Sequence, residues 1–183
     1  MMRNTSAQYD GIADVYDTLF VDEKSIEENN AVAKKLAPYA EYSIFEIGCG
    51  TGLFLDLISI TPDGYWGCDP SEKMLSFFKK KHPDFSSHVE LGTFEQNKKW
   101  RYYSAVVSIF GAVSYVKVDS LRLLAESPCH KFLMFYKPDY TPVTYTKTNV
   151  HFFHYKYEKE LLEKLFSNCN IEEFNNFLII YTH

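Results

Sequence analysis

Three glycines fall within five positions of the stretch YSIFEIGCGTGLFLDLI, residues 42–58: Gly48, Gly50 and Gly52. They stand between an apolar run of strand length and a run with helical spacing. Without a Cβ, glycine lets such a turn take tight φ/ψ values and lets a ligand approach the backbone closely, while the following helix offers unpaired N–H groups to an anionic group. The next apolar run ends in Asp69, where an acidic side chain can accept both hydroxyls of a ribose lying across a sheet. Together these point to a nucleoside-bearing ligand. The dinucleotide fingerprint G-x-G-x-x-G would place its third glycine at position 53, but Leu53 stands there, so a pyrophosphate fits less well.

These groups need elements to hold them. A chain of 183 residues is long enough to bury a sizeable core and is read as one domain, with residues 1–40 a helical lid and lead-in and residues 41–183 an α/β core. Ser25 and Glu28 form an S-x-x-E capping pattern, after which Ile26, Val32, Ala33 and Leu36 recur at helical spacing until Pro38. Strand-length apolar runs follow in YSIFEIG, GYWGCD, SHVELGTF, SAVVSIFG, HKFLMFYK and FLIIYTH. Between most of them lie helical patterns: TGLFLDLIS, SEKMLSFFKKKH, VDSLRLLAES and YEKELLEKLFSN. Alternation of strand and helix implies a three-layer α/β sandwich whose central sheet is mostly parallel, because parallel neighbours need crossovers that helices supply. Asn175-Asn176 in IEEFNNFLIIYTH can turn a hairpin, which makes the last strand antiparallel.

Composition narrows the partners. Hydrophobic residues make up 46% and aromatic residues 17%, so the core is ring-rich, and the net charge of −5 lacks the basic stripe that wraps duplex nucleic acid. The lysines of KKKH (79–82) and the NKKWRY stretch (97–102) read as solvated surface, the first suiting a helix C-terminus. A small-molecule partner is favoured over nucleic acid. No run approaches the roughly 20 apolar residues that span a bilayer, and the first residues lack a signal-peptide core, so the chain is expected to be cytoplasmic with no membrane partner. Cys49, Cys68, Cys129 and Cys169 have no metal-binding spacing and read as reduced thiols; no metal is expected. The oligomeric state is left open, a dimer among the options.

The run Glu46-Ile47-Gly48-Cys49-Gly50-Thr51-Gly52, with Asp69 ending the next strand, resembles the E/D-x-G-x-G-x-G signature of Rossmann-like, class I methyltransferases that use S-adenosylmethionine. The order of elements is similar over nearly the whole chain, whereas the motif itself is confined to residues 46–69. The resemblance implies that Gly48, Cys49, Gly50 and Gly52 hold the methionine part of that cofactor, that Glu46 orders the loop and that Asp69 binds the ribose. It assigns Pro70, Thr93, Phe94, Ser108 and Phe110 to the same cofactor site. YDGIADVYDTLF (9–20) is similar to an N-terminal segment that closes the site in many small-molecule members, with Tyr9 and Tyr16 two helical turns apart and able to face it; both equally suit an ordinary core contact.

Departures from the family pattern matter for the acceptor. Thr93 and Phe94 replace the acid that commonly meets the adenine amino group, with Glu95 one place late, and AESPCHKF replaces the usual L-x-P-G-G. SIFGAVSYV has no proline after the fourth strand, which excludes the motif of base-amine methylation in DNA, and Pro128-Cys129 comes too late to be a carbon-methylating nucleophile. An oxygen or nitrogen of a small molecule remains. A sulfonium is already activated, so holding the acceptor in line suffices for much of the rate. Tyr115, His154 and His151 are the candidate bases, and Tyr140, Tyr145, Phe152, Phe153, Tyr155 and Tyr157 can wall the acceptor. The alternatives are a non-catalytic S-adenosylmethionine-binding module and a nicotinamide oxidoreductase, the latter disfavoured by Leu53.

Overall fold

The computed structural model describes residues 5–148, 150 and 152–182. The chain begins with α1 (Thr5–Ile12) and α2 (Glu23–Leu36), then alternates β1 (Ile44–Ile47), α3 (Leu53–Leu57), β2 (Tyr65–Asp69), α4 (Glu72–Lys81), β3 (Val89–Leu91), β4 (Ala105–Ser108), α5 (Val118–Glu126) and β5 (His130–Tyr136). It ends with α6 (Val143–Thr148), α7 (Lys159–Leu165), β6 (Asn170–Phe174) and β7 (Phe177–Tyr181). The seven strands form one sheet in the order β3-β2-β1-β4-β5-β7-β6. β7 runs antiparallel to β5 and β6, and β3, β2, β1, β4 and β5 run parallel to one another.

Two-sided burial explains why β1 and β4 read as unbroken apolar runs: every residue of both is buried. Successive side chains go to opposite faces. Ile44 packs with Val32, Leu36, Phe54 and Phe78 under α2, α3 and α4, whereas its neighbour Phe45 packs with Leu121, Leu124, Leu162 and Phe166 under α5 and α7. Between β1 and β4 the strand order reverses. At such a switch point the carboxyl ends of the strands diverge and open a crevice.

Local signals hold with two adjustments. The cap of α2 is Asp22 rather than Ser25: Asp22 Oδ1 accepts the Ser25 N–H at 3.0 Å, so the helix starts at Glu23, and Glu28 accepts from Asn175 Nδ2 at 2.8 Å instead of closing a capping box. The third strand is only Val89–Leu91, because Gly92 and the turn from Thr93, whose N–H donates to Gln96 Oε1 at 2.9 Å, bend the chain away. The hairpin at Asn175 forms as the residues suggest, with Asn175 at φ 49 and Phe174 paired to Phe177. Ser71 caps α4, accepting the Met74 N–H at 3.1 Å.

Candidate functional site

The loop after β1 is pinned first by backbone. Gly48 and Cys49 both donate to the Cys68 carbonyl, at 2.8 and 3.1 Å, so the chain folds across the end of β2. All three glycines then take left-handed φ values of 71, 52 and 95. Their reasons differ. A Cβ at Gly48 would lie 2.4 Å from the Ala112 Cβ, and one at Gly52 would lie 2.4 Å from the His82 ring, so these two serve close packing within the protein. A Cβ at Gly50 would meet nothing nearer than the Gly48 carbonyl at 4.0 Å and would project into open space. Gly48 and Gly50 both line a cavity, but of the three glycines only Gly50 has open space where a side chain would stand.

Asp69 ties that loop to the next one. Its Oδ2 accepts the Gly50 N–H at 2.9 Å and its Oδ1 accepts the Ser71 N–H at 2.8 Å, while the side chain still lines the cavity. Each carboxylate oxygen has a second lone pair, so two acceptor directions remain for hydroxyls of a ligand. Burial pushes its carboxyl up to about 6, against the pull of the two backbone donors.

Glu46 sits deeper, 1% exposed, and accepts the Tyr65 hydroxyl at 2.5 Å. Burial holds its proton up to about 8, from an ordinary value of 4.5. The unfolded chain would release that proton near 4.5, so the native state binds more protons between the two values and stability falls as pH rises through that window. Glu46→Gln, which keeps an acceptor for Tyr65, is therefore expected to gain melting temperature relative to wild type as pH rises from 5 to 8. Parallel melting curves for the two proteins would show that Glu46 ionises freely in the native state.

The segment before α2 is fastened over this loop by two carboxylates. Asp10 Oδ1 accepts from Ser71 Oγ at 2.6 Å and from the Lys73 N–H at 3.0 Å, which seats α1 on the start of α4. Asp17 Oδ1 accepts from Thr51 Oγ, within the glycine loop, at 2.6 Å. Ile12 and Ala13 pack on Met74 and Phe152, so the segment also has an apolar seat. Asp17→Ala removes one fastening to a half-exposed carboxylate, worth about 1 kcal/mol after solvent screening. The expected outcome is faster amide exchange and proteolysis over residues 5–22 with an unchanged core, read by hydrogen exchange; equal protection in both proteins would contradict it.

Tyr9 and Tyr16 both line the cavity, although they lie on separate helical pieces and not on one helix. The Tyr9 and Tyr115 hydroxyls are 3.2 Å apart, and the Tyr9 and Tyr16 rings meet edge to face with centroids at 6.1 Å. Glu46, Gly48, Cys49, Gly50, Asp69, Pro70, Thr93, Phe94, Phe110 and Tyr115 line the same cavity, which has a volume of about 1120 Å³. Pockets for one small ligand run roughly 300–1,000 Å³, so there is room for a second molecule beside the first.

Gly52, Ser108 and His154 are not among the residues lining it. Gly52 faces His82, and Ser108 Oγ donates to the Ile47 carbonyl at 3.2 Å, joining β4 to β1 inside the sheet. His154 stands behind the wall, its ring 5.0 Å from that of Tyr136 and 6.1 Å from that of Tyr115. His151 lies outside the described residues, as does the side chain of Tyr145. Of the expected aromatic wall, Tyr140, Phe153 and Tyr155 line the cavity; Phe152 packs under Tyr9, and Tyr157 donates to the Val116 carbonyl in the core. Sequence reading missed Tyr136 and the Asp17–Thr51 contact. Tyr136 ends β5 at the carboxyl edge, the position where α/β sheets put ligand contacts, and its ring covers Gly111, whose added Cβ would lie 2.2 Å from it.

Cys129 Sγ lies beside Ser127 Oγ at 3.0 Å, just before the amino end of β5, so it sits at the opposite edge of the sheet from the cavity. Among the described residues no three His, Cys, Asp or Glu side chains gather to hold a metal, and no helix is long and apolar enough to cross a membrane.

With that geometry in place, comparison defines the class. The fold superposes on Streptomyces venezuelae DesVI with a TM-score of 0.64 at 18% identity, covering 93% of this chain and 97% of that one. It also superposes on the magnesium protoporphyrin IX methyltransferase of Synechocystis PCC 6803, solved with bound S-adenosylhomocysteine, with a TM-score of 0.63 at 13% identity, covering 96% and 95%. The fold is therefore the Rossmann-like fold of class I methyltransferases. In sequence the chain is similar to the dTDP-3-amino-3,4,6-trideoxy-alpha-D-glucopyranose N,N-dimethyltransferase of Streptomyces venezuelae, 31% identical over 110 residues. That match covers 57% of this chain and 45% of the relative's length. No family model matches the chain.

Proposed function

We propose that this chain is an S-adenosylmethionine-dependent methyltransferase that methylates an oxygen or nitrogen of a small molecule. The observation that carries the reading is the open space over Gly50, bounded by Asp69, at the switch point of a methyltransferase fold. The residues present suit the cofactor: a bare backbone turn for its amino-acid end, a carboxylate with spare lone pairs for its ribose, and a pocket edge of Leu91, Thr93 and Phe94 for its base. When bound, the cofactor supplies an activated methyl group on a sulfonium.

The chain's own residues then have three tasks. The loop from Gly48 to Gly52, Asp69 and the start of α4 fix the donor end of the cavity. Tyr9, Tyr16 and Phe20, held down through Asp10 and Asp17, close the cavity and exclude water. Tyr115 presents a hydroxyl already paired with Tyr9; burial raises it to about 12, so it orients an acceptor by hydrogen bonding and does not take a proton from it. His154 supports the Tyr136 and Tyr115 rings from behind. The test is turnover: purified protein, S-adenosylmethionine labelled on the methyl group and a small-metabolite extract. Label appearing in small molecules, and lost with Gly50→Val, supports the reading; binding of S-adenosylmethionine without any transfer would make the chain a binding module.

A further inference from the structure

The cavity is electrostatically one-sided. Its lining carries the carboxylates of Asp17, Asp22, Glu28, Asp69 and Glu95, together with Glu46, whose proton burial retains, against three lysines, Lys24, Lys81 and Lys147. Two of those lysines are already engaged. Lys81 is paired with Asp56 and lies 4.0 Å from Asp17, and Lys147 is 3.2 Å from Asp22 Oδ2 and donates to the Leu19 carbonyl. No arginine lines the cavity among the described residues; Arg101 lies over the Trp100 ring and Arg122 beside Asp119. A phosphate or carboxylate entering here meets a repulsive field and finds no paired cations to grip it.

The acceptor side is also short of strong bases. Its phenols are those of Tyr9, Tyr16, Tyr115, Tyr136, Tyr140 and Tyr155, and burial raises the first four so that they keep their protons; the serine and threonine hydroxyls in the same lining are not bases. No histidine lines it among the described residues. An alcohol oxygen needs a base in contact before it becomes a good nucleophile. A free amine needs none, and its protonated form is drawn by the same carboxylates that repel an anion. Methylating an amine moves positive charge from sulfur to nitrogen and does not cancel it, and aromatic faces favour a cation in either place.

Resting on the methyltransferase reading above, we infer that the acceptor is a small primary or secondary amine, neutral or cationic, bearing no phosphate or carboxylate, unlike the nucleotide-linked sugar in the name of the Streptomyces relative. A cationic amine first gives up a proton to solvent; the nitrogen lone pair then forms the N–C bond as the C–S bond breaks, the C–S electron pair leaving with sulfur as a thioether. The resulting ammonium sheds a proton to solvent.

The experiment separates a metabolite extract by ion exchange into cationic, neutral and anionic pools and offers each to the full chain with methyl-labelled S-adenosylmethionine. A second portion of each pool is first acetylated in water, which blocks primary and secondary amines. The expected result is at least about tenfold more label in the cationic and neutral pools than in the anionic pool, a preference of roughly 1.4 kcal/mol, and loss of that label after acetylation. Label concentrated in the anionic pool, or surviving acetylation, overturns the amine assignment while leaving the methyltransferase reading in place. Absence of label from every pool, with S-adenosylmethionine binding intact by calorimetry, overturns both.

Discussion

Gly50→Val is expected to abolish S-adenosylmethionine binding and to leave a folded protein. The added side chain would leave the backbone toward open cavity, with the Gly48 carbonyl at 4.0 Å its nearest neighbour, so it displaces ligand and not protein. The cost to stability comes from the backbone alone: at φ 52 a residue with a Cβ pays about 1–2 kcal/mol, a loss of a few degrees in melting temperature for a chain of this size. Wild type at a hundredfold excess over its dissociation constant should gain about 2.7 kcal/mol from ligand, and the variant should gain nothing. Gly50→Asn separates the two effects, because asparagine tolerates the left-handed region and still fills the space. Gly52→Ala should do the reverse: its Cβ meets the His82 ring at 2.4 Å, so stability falls and the folded fraction still binds. A full ligand-induced rise in Gly50→Asn would remove Gly50 from the site.

Asp69→Ala carries the second large effect, and it acts twice. The folded state loses the acceptor for the Gly50 and Ser71 N–H groups, and each buried donor left unpaired costs about 1–3 kcal/mol. Ligand affinity falls by a further 1.5–3 kcal/mol, roughly the worth of hydrogen bonds to a charged group. The two losses are separable by pH. Burial holds the Asp69 carboxyl up to about 6, and an ionised carboxylate is the stronger acceptor for ribose hydroxyls, so wild-type affinity for S-adenosylmethionine should rise as pH increases from 5 to 7. Asp69→Asn, which keeps an acceptor oxygen and cannot ionise, should bind with the same weak affinity across that range. Equal pH dependence in both proteins, measured by calorimetry, would take Asp69 away from the ligand and leave it a purely structural tie. In the unliganded protein the sign is opposite: the native carboxyl holds its proton above the ordinary value of 3.8, so stability falls as pH rises from there to about 6.

What the residues disclosed on their own followed from local chemistry. The strand, the glycine turn, the helix and the acid at the end of β2 form one contiguous βαβ unit, and short-range spacing is enough to place Gly50 beside Asp69. The antiparallel last strand was legible for the same reason, since Asn175 takes the left-handed φ its type tolerates. What stayed hidden depends on contacts between distant segments. Gly52 looks like a ligand glycine until His82 comes to occupy the space beside it, and Gly48, which does line the cavity, is also packed close against Ala112. Ser108 sits where a strand-end hydroxyl could meet a ligand, yet its Oγ is spent on the Ile47 carbonyl. His154 and Tyr136 exchange places in the same way: the histidine is the more reactive residue by type, but Tyr136, whose ring lies 5.0 Å from it, lines the cavity and the histidine does not. Asp22 displaced Ser25 as a cap because both residues offer an oxygen at a helix start and only the backbone decides which N–H each can reach.

Calorimetric titration of the unmodified chain with S-adenosylmethionine, S-adenosylhomocysteine and NAD tests the central claim most directly. The account predicts one-to-one binding of the first two, with the heat abolished in Gly50→Asn, and no binding of NAD because the loop has Leu53 where a pyrophosphate turn needs its third glycine. Binding of NAD, or no heat from S-adenosylmethionine with a wild-type protein whose melt shows it folded, would contradict it.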